Sequence, residues 1–405
     1  MNRASRHTAL VIFFLVFVGT MLFSAFYLAW NRGEGLVGFF YQKGTNLLGD
    51  FINNLHYPTH DGGPYYDSMW ASFPPFAYTL YYLVNVCFTR AKVSTEFLAY
   101  ALITAASAVA MLYAVQRLME KHNKNQNTAR HAFLLSLCLL LSGVSIYTIE
   151  RGNSVFNVMI LLLFAMYLRE AKEKWKREAA LLLIAAAAGM KIYPALFGLL
   201  YLLEKRYREA FRLVIYGVLL FFVPFAWFGG LDGLQQFLIN QKSIHSLYRN
   251  DFLTSIPSIS RFFAAELGSN MQTADTIGNA VGILFGAVMA GCVFLTRKLW
   301  LRSLLLMSCA VLVPGWSAEY MAWYMAVPCV LYFCNASHRA PVIDGLYAAL
   351  FGLIFILLPI DTGFPLHAPV SWNMLFCFAG IYLISLLAIL DVVSAFFCGR
   401  KKRRA

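Results

Sequence analysis

The sequence predicts an all-α polytopic membrane protein, and three observations carry that prediction. Apolar runs of about 18 or more residues, long enough to cross a bilayer, recur along the chain. Hydrophobic residues make up 60% and charged residues 13% of the 405 positions, with a mean hydropathy of +0.62; soluble domains run about 45–50% apolar and ~25% charged. The 33 Lys and Arg against 20 Asp and Glu, a net charge of +13, collect in clusters between the apolar runs, which is the pattern of membrane topology. A soluble enzyme, a nucleic-acid-binding domain and a disordered chain are excluded. The eight cysteines include no Cys-x-x-Cys pair and, apart from Cys87, fall in or beside apolar runs. They read as small core residues, so neither a disulfide framework nor a metal site is expected.

Taken in order, residues 9–30 follow Arg3 and Arg6 and form a run too long for a signal-peptide core. They read as a retained first span. An external loop is expected over 31–94. Its apolar piece 73–89 does not span in this reading: Phe76 to Thr89 is 14 residues, about 21 Å of helix against a hydrocarbon core of ~30 Å. A span there would also turn the basic loop Lys121, Lys124, Arg130 outward, so the piece is placed in the outer interface. Core spans fill 95–229 at 96–118, 132–149, 154–168 and 210–229, with 179–203 between the last two. That segment is flanked by REAKEKWKRE and EKRYRE. Both basic flanks belong in the cytosol, so the segment is expected to turn back at Met190-Lys191-Ile192-Tyr193-Pro194 as a hairpin within the membrane. Each arm is about 18 Å long, and backbone broken at that depth must line a cavity. A second external loop covers 230–275. The C-terminal spans fill 276–398, at 276–296, 302–316, 320–335, 343–360 and 371–398, before the cytosolic basic tail 399–405. The expectation is a single membrane domain of about twelve spans in the cell membrane, with both termini cytosolic.

On this topology the unusual polar segments converge on the external side. Glu150-Arg151-Gly152-Asn153 places two charges in a tight turn between apolar runs, where charges face a cavity or form an interfacial salt bridge. Lys191 sits at the bottom of the hairpin. An ammonium there needs an anion, and a phosphate suits it; the alternative is a lysine snorkelling to the interface. Tyr193, with Pro194, shapes the turn and borders any ligand. The first loop carries Asp50, then Tyr65-Tyr66-Asp67 and Phe73-Pro74-Pro75; a carboxylate there can take a proton from a hydroxyl, and aromatic faces suit sugars. The second loop adds Asn240, Gln241 and His245 as candidate substrate contacts. Trp316, Glu319 and Tyr320 lie at a short external turn; Trp and Tyr suit an interfacial belt, and Glu319 is the candidate for the cavity.

These segments, in this order over residues 10–335, resemble the GT-C membrane glycosyltransferases, most closely family 87, which includes polyprenol-phosphate-mannose-dependent α-mannosyltransferases. The resemblance rests on Gly49-Asp50-Phe51, Tyr65-Tyr66-Asp67, Phe73-Pro74-Pro75, Gly152-Asn153, Gly189-Met190-Lys191-Ile192-Tyr193-Pro194 and the segment near Trp316. It implies a GT-C fold with interfacial helices in the first external loop. It further implies a polyprenyl-phosphate monosaccharide donor, a glycolipid or polysaccharide acceptor, an external site and inversion at the anomeric carbon, with no cofactor. Asp50 is then the general base, and Lys191 and Arg151 meet the donor phosphate. Asp67, Asn153, Tyr193, Asn240, Gln241, His245, Glu319 and Tyr320 are the substrate-side residues. The chain departs from the family at Glu319-Tyr320, where many members carry His. A transporter or flippase of lipid-linked saccharides, and an O-antigen ligase or polymerase, are the competing readings. The one-sided polar set and the lack of an internal repeat weigh against the first. The shortage of external arginines beyond Arg151 and Arg249 weighs against the second.

Overall fold

The computed structural model describes residues 3–33, 47–88, 94–122, 127–247, 254–315, 317–334, 341–364 and 370–404. Among these residues it is all helix, with an isolated bridge between Asp361 and Ser371 instead of a sheet. The first helices are α1 (Arg3–Trp30), α2 (Gly49–His56), α3 (Pro64–Asp67), α4 (Pro75–Phe88), α5 (Ser94–His122) and α6 (Thr128–Leu140). Then come α7 (Gly143–Glu150), α8 (Val155–Leu168), α9 (Lys174–Met190), α10 (Gly198–Leu203), α11 (Tyr207–Phe222) and α12 (Gly230–Leu247). The last six are α13 (Ile256–Glu266), α14 (Met271–Leu295), α15 (Leu299–Leu312), α16 (Ala326–Cys334), α17 (Pro341–Ile354) and α18 (Trp372–Arg404).

Among the described residues, five helices are long and apolar enough to cross a membrane: His7–Trp30, Glu96–His122, Tyr207–Ala226, Met271–Leu295 and Trp372–Cys398. The pair α6 and α7, bent by 55°, makes a sixth if it counts as one span. The difference from the expected twelve lies in the short helices. For example, α8, α15 and α17 have 14 residues each, about 21 Å of helix and less than the hydrocarbon thickness.

The chain forms two compact units. One comprises residues 1–41, 118–147 and 250–405. Here α17 lies against α1 at the closest approach glycine permits: a Cβ on Gly352 would sit 2.9 Å from Cβ of Val16. Small residues at such seams let membrane helices pack through dispersion forces, which replace the hydrophobic effect in lipid. Its α14 is capped by Asn270, whose side chain accepts from Gln272 N at 2.9 Å and Thr273 N at 3.1 Å, worth about 1 kcal/mol. Helix α13 packs along α14, and the buried Arg261 ties them through Asp275 and reaches the carbonyl of Gly315.

The other unit comprises residues 42–117 and 148–249 and holds most of the candidate site residues. Its core is aromatic. Phe51, Tyr57, Tyr65, Tyr78, Tyr81 and Phe225 belong to one buried cluster under the first loop, with Tyr65 edge-on to Tyr78 at 5.4 Å. Such pairs add about 0.5–1.5 kcal/mol each beyond area burial. The described part of the first loop is therefore a folded layer of α2, α3 and α4, with α4 packed on α9 and α11. The start of the second loop is helical too: α12 lies against α3.

The segment 179–203 breaks where the sequence predicts. Helix α9 ends at Met190, Lys191 is extended at φ −146°, ψ 130°, and a 3-10 turn over Tyr193–Phe197 leads into α10. Pro194 causes this, because in a continuous helix its ring would strike the carbonyl of Met190 and it has no N–H to offer. Both flanks then meet through ion pairs. Arg169, its side chain fully buried, bonds Glu204 and stacks 5.0 Å over Tyr201. Arg206 bonds Glu170 at 2.8 Å and also Glu209, while Arg212 bonds Glu178 at 2.8 Å. The two basic flanks lie side by side, as a hairpin requires and a single span forbids.

Candidate active site

The turn after α7 builds the first half of the site. The N–H of Asn153 donates to Thr148 O at 3.0 Å and that of Gly152 to Ile149 O at 2.9 Å, a Schellman closure with Gly152 at φ +69°. Glycine is required there twice over. Its backbone is left-handed, and a Cβ would come within 2.7 Å of Cβ of Phe51. The turn thus lies directly on α2. Leu48 N–H donates to Glu150 O at 2.7 Å and Asp50 N–H to Arg151 O at 3.0 Å, which satisfies backbone donors that a helix start leaves open.

This register delivers the side chains. Asp50, in the first turn of α2, accepts from Arg151 Nη2 on Oδ1 at 2.8 Å and from Asn153 Nδ2 on Oδ2 at 2.7 Å. The Asp50 side chain is 19% exposed. A carboxylate offers about four lone-pair sites, so one remains on each oxygen for a substrate. Asn153 is 2% exposed, and its Oδ1 accepts from Val155 N at 3.0 Å at the start of α8.

Lys191 forms the second half. Its ammonium lies 3.4 Å from the ring centroid of Phe73, a cation–π contact worth about 0.5–2 kcal/mol. Phe73 is itself fixed: its carbonyl accepts from the Tyr65 hydroxyl at 3.0 Å, and its N–H donates to the Tyr78 hydroxyl at 3.4 Å. Burial pushes the Tyr65 phenol far above its usual range, so it stays a donor. The close pass of α9 over α4 depends on Gly189, where a Cβ would meet the Phe76 ring at 3.0 Å. Tyr193 is partly exposed at the start of the 3-10 turn.

Asn240 and Gln241 face the loop itself. The Asn240 amide donates to the carbonyls of Tyr65 at 2.9 Å, Ala71 at 3.1 Å and Ser68 at 3.3 Å, and Gln241 donates to Ser72 O. These amides hold the segment that carries Phe73, so they act on the site by fixing its loop. Asp67 closes α3 and His245 lies in α12, but the side chains of both, together with Trp316 and Arg249, lie outside the described residues. Glu319 and Tyr320 belong to the other compact unit. There Glu319 is buried and accepts from Asn373 Nδ2 at 2.9 Å, and Tyr320 is buried beside it in a 3-10 turn over Glu319–Met325. Sequence reasoning missed Phe73 as the partner of Lys191 and Asn373 as the partner of Glu319. Neither contact has a local signal: the partners are separated by 118 and 54 positions in the chain.

A family model described as Glycosyltransferase family 87 matches residues 70–318, more than half of the chain. The chain belongs to glycosyltransferase family 87. No curated protein matches it. This family 87 glycosyltransferase is thus an enzyme, a transferase carried on apolar helices. The matched region includes Phe73, Arg151, Asn153, Lys191 and Asn240 and begins after Asp50. The geometry joins Asp50 to it, through two side-chain bonds and one backbone bond to Arg151 and Asn153.

Proposed function

We propose that this family 87 enzyme is an inverting glycosyltransferase that moves a hexose, mannose in the first instance, from a polyprenyl-phosphate donor to a hydroxyl of a lipid-linked or cell-envelope glycan. The observation that carries the proposal is that one compact unit holds both Asp50, a partly exposed carboxylate gripped by Arg151 and Asn153, and the Lys191 ammonium at a break in an apolar segment. Asp50 takes the proton of the acceptor hydroxyl as its oxygen attacks C1 of the sugar. The C1–O bond to phosphate breaks, the electron pair leaves with the polyprenyl phosphate, and the configuration at C1 inverts. Lys191 meets the phosphate and stabilises the charge that develops on it. Such a donor carries its own leaving group, and the reaction uses no cofactor.

The topology of this proposal places the basic flanks 169–178 and 204–212 and both chain termini in the cytosol. Helix α9, with 17 residues, is about 25 Å long, which carries Lys191 into the outer leaflet and the site to the external face of the cell membrane. The shorter apolar helices complete a bundle of about twelve passes in a GT-C arrangement. The test is to incubate the purified protein with radiolabelled polyprenyl-phosphate monosaccharides and a native lipid extract. Label should move from polyprenyl-phosphate mannose to a new lipid or glycan, with inverted configuration. Transfer from a nucleotide sugar in place of the lipid donors, or retention at C1, would overturn the proposal.

A further inference from the structure

The turn 150–153 touches Asp50 at both carboxylate oxygens, and the two contacts differ in kind. Oδ1 carries the Arg151 guanidinium at 2.8 Å, a charge-assisted bond to a permanent cation. Oδ2 carries the neutral Asn153 amide at 2.7 Å. The guanidinium stabilises negative charge on Oδ1, so a proton arriving at the carboxylate goes to Oδ2. Asn153 is 2% exposed, and both ends of its amide are engaged, one with Asp50 and the other with Val155 N. The main chain of Asp50 is also fixed, because its N–H bonds Arg151 O at 3.0 Å.

We propose that Arg151 and Asn153 are positioning residues that act through Asp50: Arg151 holds Oδ1, and Asn153 aims Oδ2 as the oxygen that receives the acceptor's proton. This rests on the reading of Asp50 as general base, and it takes Arg151 away from the donor phosphate, leaving Lys191 as the cation there. The physical reason for such a clamp is precision. A base displaced by about 1 Å costs on the order of 10²-fold in rate, and Asp50 sits near the start of an eight-residue helix that has little length of its own to steady it.

The test separates three outcomes in the full-length enzyme, with the polyprenyl-phosphate sugar that it turns over as probe. Asn153→Asp keeps the acceptor for Val155 N but replaces the donor to Asp50 by a like charge. The variant should fold but melt below wild type, bind donor with wild-type affinity and lose on the order of 10²-fold in kcat. Asn153→Ala, a second variant without the added charge, should lose about tenfold in kcat with the acceptor KM unchanged. Arg151→Lys keeps a cation but loses the fork and should likewise lower kcat and leave donor affinity alone. Turnover within about twofold of wild type in both Asn153 variants would reduce Asn153 to a helix-start contact and overturn the proposal. So would a weakened donor affinity in Arg151→Lys at unchanged kcat. Asp50→Asn is the reference: if that variant turns over normally, the general-base reading itself has failed, an outcome distinct from the other two.

Discussion

Replacing Gly152 by alanine disturbs the site without touching a charged group. The residue sits at φ +69°, where a Cβ costs roughly 1–2 kcal/mol, partly offset by about 0.4–1 kcal/mol from the stiffer unfolded chain. The new methyl would also lie 2.7 Å from Cβ of Phe51, 3.0 Å from its backbone N and 3.2 Å from Cα of Leu48. Two of those three atoms are backbone, so no rotamer change relieves the contact. Helix α2 must retreat by several tenths of an ångström, and that retreat stretches the bonds to Asp50, now 2.7 and 2.8 Å, toward the long end of hydrogen-bond range. A weakened charge-assisted bond costs about 1.5–3 kcal/mol. The expected outcome is a folded protein, less stable by about 1–4 kcal/mol, whose kcat falls at least tenfold. The assay pairs thermal unfolding in detergent with the label-transfer measurement. Gly217→Ala, in α11 with open space around its Cβ position, is the control, and should be neutral or slightly stabilising. Equal melting temperature and equal turnover in the two variants would refute the argument that this turn is wedged against α2.

Lys191→Ala should weaken donor binding with little loss of folded protein, and Lys191→Arg should retain part of the affinity; equilibrium binding of a polyprenyl-phosphate sugar checks this, and unchanged affinity in the Ala variant removes Lys191 from the phosphate. Asn240→Ala deletes the donor to three backbone carbonyls, which should cost about 1–3 kcal/mol and open residues 64–72 to protease; an unaltered cleavage pattern would mean that the loop holds without it. For topology, in a background without the exposed Cys87 and Cys398, a cysteine at the exposed Leu231 should react with impermeant thiol reagents from outside, and one at Lys172 only after the membrane is opened. The reverse pattern would invert the proposed orientation.

The sequence by itself determined that the chain lives in a membrane, because an average hydropathy of +0.62 is a sum over residues and needs no geometry. It also determined the break at Lys191, since Pro194 acts on its own helix four residues back. The shared side of the basic flanks was legible from charge alone, and the ion pairs Arg169–Glu204 and Arg212–Glu178 place those flanks together. Asp50, Arg151, Asn153 and Lys191 could be picked out as unusual polar residues near apolar runs. Their roles relative to one another could not. Only the tertiary structure decided that Arg151 pairs with Asp50, that Lys191 rests on Phe73, and that Asn240 spends its amide on the loop carbonyls. It likewise decided that Glu319 lies with Asn373 in the other unit. Burial and helix breaking are local or additive properties of a chain, whereas a hydrogen bond across about a hundred residues depends on a register set by close packing, here by Gly152 against Phe51.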